Sequence, residues 1–365
     1  MDVRLSEEQE LLGQAVRAVC ERYSTPADVR ALEGDERGYR EDLWQELARM
    51  DLLGLLVPEE HGGSGWLPIE VAVVCEELGR ALCPSPYIET AAFGAALLGK
   101  ADEVVTLAWH EPERSETEEG VALAARDGKL SGEKILVPFA SSASALITLA
   151  RTLGGVTLYL VDPADVSFEL EGTLASDARY KVRYDNTPGE IVGTEGDGWG
   201  LFTEAATPAL VAVAAYALGG AAKAHEMSVE YANERIQFDK PIGSYQAMAH
   251  PLADLRTEID GARTLVHQAA WALAEKRETA GSLARMAKYY ACDVFRRTAK
   301  FGHQVFGGIG FTLDIDIQLY MRRAKQLEVT WFGSRQLEEA IAAAELDAPE
   351  PLVTPDAVAS GAKQS

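Results

Sequence analysis

Twice along this chain the period of the apolar residues changes, and that restricts the fold to three successive parts. Up to residue 101 the apolar positions recur at helical intervals. Between 102 and 198 they fall into short runs that alternate or are wholly apolar, separated by turn signals such as Asp127-Gly128 and Gly154-Gly155. From 199 to 347 long helical patterns return. The expected fold is mainly α with a β domain. An N-terminal helical domain spans 1–101, a small β-barrel or sandwich 102–198, and a C-terminal four-helix bundle 199–347. Residues 348–365 carry Pro, Ala and Ser without periodicity and read as a disordered tail. A length of 365 residues agrees with several units, because one compact core stops growing well before that size.

Local signals fill in this frame. Ser6-Glu-Glu-Gln9 is a capping box, and Leu12, Val16, Val19 and Cys20 follow on one helical face. Further helices are expected over 41–50, 70–82 and 88–98, with a glycine-rich loop between the first two. Strands are expected over 104–109, 121–125, 134–137, 145–150, 156–161 and 166–170. The charge-dense stretch 111–120 reads as an exposed loop. Thr207-Pro208 looks like a helix start, with Thr as N-cap and Pro in the first turn. Long helices then run to 233 and over 245–274, 282–306 and 334–346.

Composition narrows the partners. Against 34 basic residues stand 57 acidic ones, a net charge of −23, which argues against nucleic acid or an anionic membrane as partner. Cys20, Cys75, Cys83 and Cys292 have neither metal nor redox spacing and read as small buried apolar residues of a reduced compartment. No histidine–carboxylate cluster has metal spacing, and His250 and His303 are assigned no catalytic role. With no basic stretch leading into an apolar run at the N-terminus, the expected location is cytoplasmic.

Two stretches of the last part carry chemistry. Arg235-Ile-Gln-Phe238-Asp-Lys-Pro-Ile-Gly243 ends a helical pattern and presents a guanidinium and an aromatic ring three residues apart. About 70 residues later, Gln304-Val-Phe-Gly-Gly-Ile-Gly310 is a glycine cluster where backbone can approach a ligand closely. Each alone reads as a helix end or a turn. Together with Pro241-Ile, Tyr245-Gln246, Leu252-Ala-Asp254 and Tyr320-Met-Arg-Arg-Ala324, they resemble the acyl-CoA dehydrogenase family in order and spacing. Leu56-Val-Pro-Glu-Glu-His-Gly-Gly63 and Glu76-Glu-Leu-Gly-Arg80 look like the N-terminal part of the same family, whose layout is helix–barrel–helix.

The resemblance implies FAD held across a subunit interface. Arg235, Gln237, Phe238, Gln304, Gly307 and Gly308 would face the neighbouring subunit's cofactor. A planar guanidinium suits a pyrophosphate, and glycine backbone brings N–H groups to phosphate or ribose oxygens. The middle part departs from the family. Its Thr-Glu-Pro turn is here Trp109-His110-Glu111-Pro112, followed by Glu113-Arg-Ser-Glu116, and its Trp-x-Thr strand is Lys134-Ile-Leu-Val-Pro138. Leu136 and Pro138 replace the aromatic and the hydroxyl, and Glu116 would repel a flavin that becomes anionic on reduction.

The base is missing too. In the family a glutamate removes the α-proton of the acyl thioester, from one of two positions, which here hold Phe332 and Ala209. Tyr216, two turns beyond Ala209, is no acid, and Glu328 and Glu204 are out of register. The resemblance therefore implies the non-catalytic subunit of a heterotetrameric (α2β2) steroid side-chain acyl-CoA dehydrogenase. Its partner would be a catalytic homologue bearing the glutamate, the substrate an acyl-CoA, and the electron acceptor unnamed. Two alternatives stand beside this reading. One is a self-sufficient homotetrameric dehydrogenase or flavin oxidase using Glu204 or Glu328. The other is a structural homologue without flavin contact.

Overall fold

The computed structural model describes residues 4–175 and 177–347; the expected tail over 348–365 lies outside them. The first part is helical: α1 (Glu7–Tyr23), α2 (Pro26–Ala31), α3 (Glu41–Arg49) and α4 (Pro68–Arg80). A π-type turn (Ile88–Gly94) then runs into α5 (Ala95–Leu98). The capping box at α1 is formed in both directions, with Ser6 and Gln9 exchanging side-chain and backbone hydrogen bonds.

Eight strands follow: β1 (Val105–Ala108), β2 (Ala124–Arg126), β3 (Lys129–Pro138), β4 (Ala145–Arg151), β5 (Val156–Val161), β6 (Ser167–Glu171), β7 (Arg179–Pro188) and β8 (Glu190–Val192). They form one sheet in the order β6-β7-β3-β2-β4-β5-β8, with β1 beside β4. Most pairings are antiparallel, but β1 and β2 both run parallel to β4. The last two strands are absent from the expected set. In β7 the signal was present, since Tyr180, Val182 and Tyr184 are buried while Lys181 and Arg183 point outward. The alternation was hidden because its polar positions are charged and two of its three buried ones are tyrosines.

The last part holds α6 (Gly198–Glu234), a hairpin of β9 (Ile236–Gln237) and β10 (Lys240–Pro241), α7 (Gln246–Ala274), α8 (Ala280–Phe306), α9 (Ile317–Val329) and α10 (Ser334–Glu345). Pro208 does not start α6; it lies ten residues inside. Pro208 offers no N–H to the carbonyl four residues back, and the helix persists because nearly every face of this segment is packed. The most apolar 18-residue window of α6 is 94% buried, which marks a core helix.

α4 crosses α6 at two glycines facing each other. A Cβ on Gly79 would stand 1.9 Å from the Tyr216 carbonyl oxygen, and one on Gly219 would stand 1.8 Å from that of Glu76. Only glycine allows backbones this close, and the crossing sets the depth of Tyr216 in the core. All four cysteines are free and buried, as expected.

Candidate functional site

One end of the helical bundle collects both motifs. Arg235 caps the C-terminus of α6, its N–H donating to the Tyr231 carbonyl at 2.9 Å. Phe238 and Asp239 turn the hairpin with φ of 53° and 69°, which leaves the Phe238 ring 87% exposed. Tyr245 donates its hydroxyl to the Gln237 carbonyl at 3.1 Å, and the Lys240 ammonium lies over the Tyr245 ring. Gln304 is exposed in the last turn of α8. Gly307 ends that helix with φ 65° and ψ −145°, a conformation reserved for glycine, and nothing stands within 4 Å of a Cβ placed on it or on Gly308.

A small separate core holds the two segments together. Ala232, Leu252 and Val305 are buried there with Ile242 and Met248 against them, and Tyr231 stacks on Phe306 at 4.3 Å. The end therefore presents a guanidinium, open glycine backbone and an exposed ring. Among the described residues the Arg235 side chain forms no ion pair. These groups fit a phosphate with an adjoining flat heterocycle, not a proton-transfer reaction.

The region around Phe332 is built the opposite way. Trp331 and Phe332 both have positive φ, 56° and 74°, a strained backbone for large side chains. Their rings are wedged into an aromatic cluster. Phe332 lies 5.1 Å from Trp109 and 6.0 Å from Phe202, and Trp331 lies 5.2 Å from Phe93. Lys288 fastens the loop, its buried ammonium donating to the Glu328 carbonyl at 3.1 Å and the Phe332 carbonyl at 2.7 Å. Burial lowers the pKa of that amine. Lys288 escaped the sequence reading, although a lysine between Ala284, Ala287, Ala291 and Cys292 on a buried helical face is a visible signal.

Neither base position itself holds a carboxylate, although Glu116 reaches the Phe332 turn from the β domain. Ala209 is wholly buried on α6. Tyr216 donates its hydroxyl to the Cys83 carbonyl and accepts from Arg323. Glu328 is held by Lys325 at 2.6 Å and Arg296 at 3.7 Å. Glu204 is exposed and lines a different cleft. Above Phe332 a hollow of about 380 Å³ remains, bordered by Trp199, Thr203, Arg285 and Gln336 and by the carboxylates of Glu116, Glu118, Glu119 and Glu339.

The charge-dense stretch 111–120 is largely the exposed loop expected, with residues 113–115 and 117–119 at the surface, but Glu111 and Glu116 anchor it inward. The Glu111 carboxylate accepts from the N–H groups of Ala122 and Leu123 and pairs with Lys134 at 2.6 Å, both side chains being buried. Paired polar groups can be sealed under a sheet in this way. Burial lowers the Lys134 ammonium to about 8 despite Glu111. His110 lies 3.3 Å from Glu116 and burial holds it neutral, with a pKa of about 3. Burial raises Glu116, which accepts from the Gly333 N–H at 3.3 Å and so ties this loop to the Phe332 turn. Leu136 has φ 54°, and its N–H is taken by Glu171. These backbone and side-chain donors are engaged within the protein.

Beneath Trp331 the core is polar. Glu89, Asp177, Arg179 and Arg323 surround a cavity of about 50 Å³, which Ser85 and Gln326 also line. Burial raises the Glu89 carboxyl; it would raise Asp177 too, but Arg179 and Arg323 outweigh it and bring Asp177 to about 2. Among the described residues Ser85 Oγ, Arg323 Nε and Gln326 Oε1 have no hydrogen-bond partner.

Comparison with known proteins decides the family. Residues 6–104 match the acyl-CoA dehydrogenase N-terminal domain and residues 196–346 the C-terminal domain. The chain belongs to the acyl-CoA dehydrogenase family. It is 33% identical over 322 residues to acyl-CoA dehydrogenase IpdE2 of Mycolicibacterium smegmatis, covering 88% of this chain and 93% of that protein. IpdE2 of Mycobacterium tuberculosis is 32% identical, over 92% of this chain and 94% of its own length.

Among solved structures, the ChsE4–ChsE5 complex of Mycobacterium tuberculosis superposes with a TM-score of 0.85 at 26% identity, covering 96% of this chain and 100% of that one. A variant of the Tcur3481–Tcur3483 steroid acyl-CoA dehydrogenase superposes at 0.81 with 28% identity, covering 98% and 99%. This acyl-CoA dehydrogenase thus belongs to a family of FAD-dependent oxidoreductases, and FAD is its cofactor.

Proposed function

We propose that this chain is the non-catalytic subunit of a heteromeric acyl-CoA dehydrogenase. Arg235, Gln237, Phe238, Gln304, Gly307 and Gly308 complete the FAD site of a catalytic partner chain in an α2β2 assembly located in the cytoplasm. The observation that carries this reading is the strained Trp331–Phe332 turn. Its own side chains are an aromatic wedge rather than a glutamate, with Glu116 reaching the turn only from the β domain, while the motif end stays open. Bound FAD supplies a hydride acceptor for the β-hydrogen of an acyl thioester. This chain's residues bind and orient: Arg235 neutralises diphosphate charge, Gly307 and Gly308 expose backbone donors, and Phe238 covers an apolar face.

Two features support the division of labour. The β domain's groups are engaged internally, by Lys134–Glu111 and His110–Glu116, and offer little to a flavin ring. The cavity under Trp331 is lined by unpartnered polar atoms, and an aliphatic acyl chain there would leave them unsatisfied. The proposed substrate is a bulky acyl-CoA of the steroid side-chain class, a reading supported by the similarity to a steroid acyl-CoA dehydrogenase.

The test is expression of the chain alone and together with a glutamate-bearing homologue encoded beside it, with mass and flavin absorbance recorded for each. The expected result is a colourless chain alone and a yellow tetramer with about one FAD per unlike pair. A yellow homotetramer that dehydrogenates an acyl-CoA by itself would sink the proposal.

A further inference from the structure

α6 separates two hollows. Thr203, Ala206 and Leu210 border the one above Phe332, whereas Glu204, Ala205 and Pro208 face a second on the opposite side, and Thr207 touches both. This second cleft, of about 850 Å³, lies between α5, the start of α6 and the α7–α8 turn. Its wall is apolar, built from Trp66, Leu97, Leu201 and Leu273. The Trp66 indole N–H donates to the Leu273 carbonyl at 3.1 Å, which fixes the ring as a flat surface. A space of this size and lining matches small-molecule sites.

The mouth is positively charged. Lys276 and Arg277 line it, and the turn that carries them is held by their backbone N–H groups, donating to the carbonyls of Leu273 and Ala272. Lys276 takes the left-handed conformation, φ 49°. Just behind, the half-buried Arg285 guanidinium lies 3.4 Å from where a Cβ on Gly281 would stand. Among the described residues none of these three cations forms an ion pair with a carboxylate. Other arginines are paired, such as Arg17 with Glu77, Arg80 with Glu226 and Arg263 with Glu76, though among the described residues Arg235 at the motif end is not. In a chain of net charge −23, two unpaired cations lining the mouth of one apolar cleft, with Arg285 behind them on the border of the other hollow, attract an anion. Glu204, exposed on the facing wall, is the one carboxylate among the lining residues.

We propose that this cleft binds an amphiphilic carboxylate, its apolar body against Trp66, Leu97 and Leu201 and its carboxylate drawn to Lys276 and Arg277. This site is independent of the flavin-facing end and of the subunit role. Titration calorimetry of the full chain with cholate and with dodecanoate, each beside its methyl ester, tests it. At least one acid is expected to bind one per chain, at least about tenfold tighter than its ester. Tighter cholate binding identifies a fused-ring body, and tighter dodecanoate binding a linear tail. A Lys276→Gln/Arg277→Gln variant should lower the acid to the affinity of its ester with an unchanged thermal midpoint. Leu97→Trp, which narrows the cleft, should weaken acid and ester alike. Absence of binding by both acids, an ester as tight as its acid, or undiminished binding by the charge variant overturns the proposal.

Discussion

The Phe332 region and the Arg235 end are built from the same helices yet obey opposite rules. Around Phe332 Lys134 and Glu111 are turned inward and paired, the backbone is strained, and rings pack the turn. At the Arg235 end a cation is unpaired, a phenylalanine ring is 87% exposed, and two glycines face open space. A protein spends stability on exposed apolar rings and unpaired charges only where something else covers them. This contrast is what the proposed role, a subunit that lends rather than keeps a cofactor site, would require.

The contrast can be broken most forcefully at the closed end. Phe202 is fully buried among Phe93, Trp109, Trp199 and Phe332, so Phe202→Ala is expected to cost about 4 kcal/mol in denaturant unfolding. Phe332→Gly should cost about 1–3 kcal/mol less than that, because glycine releases the left-handed strain at φ 74°. Equal costs would mean that the turn is not strained.

Lys134→Ala strands the buried Glu111 carboxylate and should cost about 3 kcal/mol. Arg235→Ala reverses the pattern. Chain stability should change by less than about 0.5 kcal/mol, while FAD retention in the assembled complex weakens about 10- to 100-fold, read by flavin absorbance after gel filtration. Unchanged retention would remove Arg235 from the cofactor site.

The last effect is a pH dependence, small per pH unit. Folding holds the His110 pKa near 3, below its ordinary value near 6.5. Between these values the unfolded chain takes up a proton that the folded one refuses, so stability falls as pH drops, by at most about 1.4 kcal/mol per pH unit. Glu116, raised by burial, opposes this above its ordinary value, so the His110 slope is cleanest between about pH 3 and 4.5. The wild-type minus His110→Phe difference in unfolding free energy should carry that slope; a flat difference would mean that His110 is solvated.

Much of this protein was legible in its residues alone. Periodicity predicts the order helix, strand, helix, since a 3.6 or 2.0 period is a property of the chain itself. The motifs 235–243 and 304–310 could be read because their residue types and order name the chemistry before any contact is known. The absence of acids at Phe332 and Ala209 was equally visible. Other features depended on tertiary packing. Pro208 looked like a helix start, and burial of α6 on nearly every side carried the helix past it. The stretch 111–120 is mostly exposed as its charge predicts, but Glu111 is drawn inward because a buried partner, Lys134, is supplied from another strand. Lys288 became a latch only when α9 and the Phe332 turn brought two carbonyls to its ammonium. Local pattern determines which elements form, whereas which charges are sealed, which rings fill a cleft and which end stays open depend on partners far apart in the chain.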